Sequence, residues 1–171
     1  MTQTRVKRLC TDAMLLGSAL MLSYLEAILP LGLIVPVPGV RLGIANIAVM
    51  AAFFGVGRLD GLAVSLCRVF ISALLFGSVP SLWFSLCGAA FAYIGMLVCD
   101  TLLKNRVTII GASVLCAALH CVGQIIAAAL VLGSGAIFAY LGILLICALV
   151  TGTLCGMVTG RILTLFKKKI R

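Results

Sequence analysis

Six side chains in this sequence combine chemistry with an improbable setting: Glu26, Arg41, Asn46, Arg68, His120 and Gln124. Each lies within or beside a long apolar run, where an ionisable or amide group is costly unless it is paired or faces a cavity. Glu26 shares a helix face with Asp12 and Ser23, at spacings of 11 and 3 residues. Arg68 has Ser65 and Ser72 on its own face, at i−3 and i+4, and lies too deep in its run to snorkel. His120 and Gln124 are four apart and therefore stack on one side of a helix. Asn46 and Arg41 fall just beyond a proline-rich break.

Two arginines beside a single glutamate describe a place with excess positive charge, suited to holding a polar or anionic solute. Other readings stay open on these residues alone. Glu26 is near the end of its run and could reach interfacial water, Arg68 and Glu26 could form a permanent architectural pair, and His120–Gln124 could be a core hydrogen bond without a ligand. Cys116, one turn before His120, supplies a second candidate metal ligand but no third, so no metal or other cofactor is expected.

The elements that must position these groups are membrane helices. The chain of 171 residues is 64% hydrophobic and 10% charged, against about a quarter charged in soluble domains. Apolar runs recur along its length, each long enough for a hydrocarbon core of roughly 30 Å. They predict an all-α integral membrane protein, one six-helix transmembrane domain over residues 1–171. The expected helices are about 9–29, 42–56, 61–76, 81–103, 109–132 and 136–166. The Pro30–Gly39 break separates the first two, a tight turn at Gly57, Arg58 and Asp60 precedes the third, and Gly77-Ser78-Val79-Pro80 ends it.

Charge placement sets the orientation. With the N-terminus inside, the cytoplasmic segments carry Arg5, Lys7, Arg8, Arg58, Lys104, Arg106, Arg161, Lys167, Lys168, Lys169 and Arg171, whereas the outer segments carry only Arg41. This asymmetry predicts an N-in, C-in protein of the cell membrane. The net charge of +9 is thereby explained without nucleic acid. The basic N-terminal run lacks a small-x-small cleavage site and reads as a retained helix. Eight cysteines without a CxxC pair read as small apolar packing residues. In this topology the polar groups converge on the outer half of the bundle, beneath three nearly uncharged outer loops, with Leu29–Asn46 as part of the site.

Helix packing is foreshadowed by small residues: Ala13 and Gly17 in the first helix, and Gly152, Gly156 and Gly160 in the sixth. Catalytic patterns are missing. There is no GxxxxGK[ST] and no aspartate-rich cluster to hold magnesium and diphosphate, so no catalytic residue is assigned and a non-enzyme is expected.

The segments SYLE (Ser23–Glu26), PGVRLGIAN (Pro38–Asn46), CRVFISALLFGS (Cys67–Ser78), HCVGQ (His120–Gln124) and VTGTLCG (Val150–Gly156) resemble, in order, motifs of the Gx transporter family. That family is also described as heptaprenyl diphosphate synthase component I. It is similar to the substrate-binding S components of energy-coupling factor importers. Cys121 departs from the pattern, where asparagine is expected. The resemblance implies a bacterial cell-membrane subunit that binds a small solute beneath its outer loops. It further implies a coupling transmembrane protein and cytoplasmic ATPases as partners, with the coupling protein meeting Ala13 and Gly17 on the first helix. Membrane lipid is the remaining expected partner. The synthase description implies instead an accessory role in isoprenoid or quinone metabolism, including quinone-linked electron export. A third possibility is an autonomous proton-coupled carrier using Glu26 and His120.

Overall fold

The computed structural model describes residues 2–28, 41–103 and 106–170, with side chains described for 5–28, 41–103 and 106–166. The Pro30–Gly39 break, Lys104, Asn105 and the side chains of the basic tail lie outside these, so expectations placed there stand as read from the sequence. Every described element is helical: α1 Thr2–Ile28, α2 Asn46–Gly55, α3 Arg58–Phe76, α4 Val79–Val98, α5 Ile109–Leu132 and α6 Leu141–Ile170. A single π-helical turn, Cys99–Leu103, continues α4, and a 3₁₀ segment, Gly135–Tyr140, precedes α6. Five of these stretches are long and apolar enough to cross a membrane, while α2 has 10 residues and is short. Large apolar side chains such as Met14, Met21, Leu74 and Leu130 point outward. An aqueous surface would not tolerate so many; a bilayer does.

Contacts at the helix ends fix the course of the chain. The Ile44 amide meets Glu26 near the end of α1, and Gly57 lies against Arg8 near its start. Residues 41–57 therefore traverse the length of α1, although only α2 is helical. Tyr24 stacks edge-on against Phe76 at the far end of α3, and Arg58 binds Asp100 beyond α4. Successive helices thus run in alternating directions.

Several boundaries differ from those expected. α2 begins at Asn46 rather than near 42, because Gly43 holds a φ of 81°, a left-handed conformation that interrupts a helix. The supposed turn at Gly57–Asp60 is mostly helix, since α3 starts at Arg58 and carries Asp60 in its first turn. Pro80 does not end α3. It sits in the first turn of α4, capped by the Ser78 hydroxyl, where proline's missing N–H is harmless.

Close approach between helices is set by glycine. An added Cβ on Gly123 would lie 2.7 Å from the Cys87 carbonyl oxygen, and one on Gly61 would lie 2.8 Å from the Phe53 Cα. The α6 ladder does the same for α5: Gly152 and Gly156 would strike the Cα atoms of Val114 and Ile110 at 2.8 and 2.7 Å. Gly160, third in that ladder, meets nothing within 4 Å and contributes no such contact.

Candidate functional site

The inward face of α1 reads Leu15, Ala19, Ser23 and Glu26, all buried, with Asp12 half-buried at its start. The face on which Asp12, Ser23 and Glu26 coincide is therefore the inner one. On α3 the inner stripe is Gly61, Val64, Ser65, Arg68 and Ser72. Arg68 is 1% exposed and Glu26 2%. On α5, His120 and Gln124 are equally enclosed, and the Gln124 amide lies 2.9 Å from His120 Nε2. The spacing of four that placed them on one face thus becomes a hydrogen bond.

The short segment Arg41–Asn46 ties these helices together. The Arg41 amide donates to Gln124 Oε1 at 3.2 Å on α5, and its guanidinium donates from Nη1 to Ser72 Oγ at 3.1 Å on α3. The Ile44 amide donates to Glu26 Oε1 on α1. Gly43 packs against His120, with a virtual Cβ 3.4 Å from the ring, while Asn46 opens α2. One strap of six residues therefore touches Glu26, Ser72, His120 and Gln124, bringing Arg41 and Asn46 to them, while Arg68 lies one turn before Ser72 on the same buried stripe of α3. Arg41 and Asn46 are 6% and 5% exposed, so the cluster is closed.

α4 adds partners that the sequence reading left out. Ser81, Ser85 and Gly88 are buried at spacings of four and three. Gly88 leaves room for the α5 pair: a Cβ there would lie 2.8 Å from His120 Cε1 and 2.9 Å from Gln124 Cγ. The signal was present as a stripe of small and polar residues in an otherwise apolar helix. It was masked because serine and glycine also occur there for packing alone.

Glu26 and Arg68 do not form the close pair considered above. Among the described residues the ion pairs are Arg8–Asp60 and Arg58–Asp100, both at the opposite end of the bundle. Instead Arg68 Nε and Nη2, Glu26 Oε2 and Asn46 Nδ2 are buried without hydrogen-bond partners among the described residues. Native interiors leave few such atoms, and each calls for an explanation, an ordered water or a bound solute among them. Chemically, the arrangement combines buried donors and positive charge with a single carboxylate acceptor.

No group of three or more His, Cys, Asp or Glu side chains gathers among the described residues, and Cys116 adds no third ligand to His120. The eight cysteines are free thiols. A shallow groove of about 600 Å³ lies elsewhere, between α5 and α6, lined by Thr108, Met157, Arg161 and Thr164. It contains none of the clustered residues.

Ala13 and Gly17 lie on the opposite side of α1. Both are exposed, and nothing approaches within 4 Å of a Cβ placed on Gly17. The small pair is thus unused by the bundle itself.

No curated protein and no solved structure matches the chain. The model of the family described as heptaprenyl diphosphate synthase component I matches residues 15–162, from the inner face of α1 to the last turns of α6. With that match spanning every element that contributes to the polar cluster, the chain belongs to the heptaprenyl diphosphate synthase component I family.

Proposed function

We propose that this protein is the substrate-binding membrane subunit of an importer of the energy-coupling factor type, capturing a small polar or anionic solute. The observation that carries this reading is the enclosed cluster of Arg41, Arg68 and Glu26, whose formal charges leave one positive charge in excess inside an apolar bundle. A purely architectural cluster would be expected to neutralise itself, since breaking even with buried charge requires complete pairing. The unpartnered edge of Arg68 supports the same view.

The orientation belongs to this proposal. The Glu26 end faces outside and both termini are cytoplasmic in the bacterial cell membrane, with α2 and its extended lead-in completing a sixth crossing. Lysine and arginine distribution supports this. So do the two ion pairs at the Arg8 end, where interfacial water solvates charge. The free face at Ala13 and Gly17 supports docking of a coupling transmembrane protein, with cytoplasmic ATPases attached to it. The chain itself would be no enzyme.

The test is copurification with candidate coupling proteins together with solute uptake by cells carrying Ala13→Trp or Gly17→Trp. Loss of the complex and of uptake is expected from either change. No complex with any candidate, and uptake indifferent to both, would contradict the proposal.

The family's description favours a second reading, a non-catalytic accessory subunit in isoprenoid or quinone metabolism. Mass spectrometry of copurified molecules separates the two. A prenyl compound held stoichiometrically favours the second, and a water-soluble metabolite the first.

A further inference from the structure

The importer reading leaves the solute's chemistry open, and the unpartnered atoms of the cluster narrow it. Arg68 Nε and Nη2 lack partners among the described residues. These two nitrogens lie on one edge of the guanidinium, and their N–H bonds run parallel at the spacing of two oxygens on one carbon. A lysine would supply the charge without this fork. The unoccupied edge is therefore shaped for an anion with two coplanar oxygens.

Charge then selects among such anions. Arg41 and Glu26 are the other charged side chains buried in the cluster. Against the two arginines and one glutamate, a single negative charge neutralises the cluster, while a dianion would reverse its sign. Glu26 completes the description. Its Oε1 accepts from the Ile44 amide, and Oε2 is unpartnered. An ionised carboxylate only accepts, so Oε2 calls for an N–H or O–H of the solute. Asn46 Nδ2, a donor, calls for an acceptor.

We infer that the site takes a monocarboxylate whose carboxylate lies on the Nε–Nη2 edge of Arg68 and whose other end presents an uncharged N–H or O–H donor to Glu26 Oε2. This rests on the importer reading and deepens it. The strap Arg41–Asn46 would close over the solute, since it already holds Glu26, Ser72 and Gln124.

The test uses the purified full chain in mild detergent and three small probes: N-acetylglycine, its size-matched uncharged amide N-acetylglycinamide, and the dianion methyl phosphate. Binding is followed by calorimetry and thermal shift. N-acetylglycine is expected to bind at least about tenfold more tightly than either of the others, as loss of a charge-assisted pair implies. Arg68→Lys, which keeps the charge but loses the fork, should reduce that preference, and Glu26→Gln, which removes the acceptor for the solute N–H, should weaken N-acetylglycine binding relative to the unaltered protein. The comparison among probes on the unaltered protein does not depend on whether either variant folds. Equal affinity for the acid and its amide, stronger binding of methyl phosphate, binding of none of the three, or a preference undiminished in Arg68→Lys would overturn the inference. The importer reading would fail separately, through absence of a coupling partner and of uptake. A carboxylate preference without coupling would leave this inference standing alone.

Discussion

Replacing Arg68 by methionine should make the ligand-free protein more stable, while replacing Glu26 by glutamine should make it less so. Both residues are buried, and they are not ion-paired with each other. Methionine approximates the volume of arginine's stem and removes two unpartnered donors along with the excess charge. Buried ion pairs replaced by apolar residues of similar size are often unchanged or stabilised by about 1–4 kcal/mol, and a guanidinium without an ion-pair partner among the described residues has no pairing to lose, so a gain at the low end of that range is expected. Glu26→Gln preserves an oxygen for the Ile44 amide but leaves two guanidinium groups facing no carboxylate. Glu26 belongs to no close ion pair among the described residues, so the loss is one of longer-range charge compensation and falls below the about 3–5 kcal/mol typical of breaking a buried pair. Thermal unfolding in detergent reads both changes, at roughly 2–4 °C per kcal/mol for a chain of this size. The two variants should therefore move in opposite directions from the unaltered protein. If Arg68→Met is destabilised as much as Glu26→Gln, Arg68 is an architectural partner of Glu26 and the argument from unused charge collapses.

Glycine substitutions separate packing from orientation. Gly123→Ala should destabilise by about 1–3 kcal/mol, because the new methyl meets Cys87 and Gly88 backbone, whereas Gly160→Ala, with nothing nearby, should be neutral or stabilising by up to about 1 kcal/mol. Comparative unfolding measures this, and equal effects would contradict the helix contacts. Gly43→Ala must adopt a φ of 81° with a Cβ 3.1 Å from Asn46 Nδ2, so solute binding should weaken more than in the Gly160 variant. Calorimetry with the two variants compares them. In a cysteine-free background, Ser134→Cys should react with an impermeant maleimide in intact cells, and Arg106→Cys only after permeabilisation. The reverse pattern would invert the proposed topology.

Much of the site was legible because helical periodicity is strict. Three residues on α1 shared an inner face, Arg68 carried Ser65 and Ser72 with it, and the spacing of His120 and Gln124 became a direct contact. Long-range pairing was less accessible. Nothing in the local pattern relates Arg41 to Ser72, or the Ile44 amide to Glu26, because these contacts depend on how the strap crosses three helices. The start of α2 was misplaced for a related reason. Apolar content continues through Leu42–Ala45, and only the left-handed backbone at Gly43 delays the helix. Pro80 illustrates the ambiguity of proline, which suits a first turn as well as a break. The pairs Arg8–Asp60 and Arg58–Asp100 were hidden as well, since each joins residues more than 40 positions apart.

The decisive experiment for solute capture by the Arg41–Arg68–Glu26 cluster is to identify the molecule retained after gentle purification. A water-soluble anionic metabolite is expected, bound at about one per chain and absent from Arg68→Met protein that remains folded. A prenyl lipid retained equally by both proteins would contradict it.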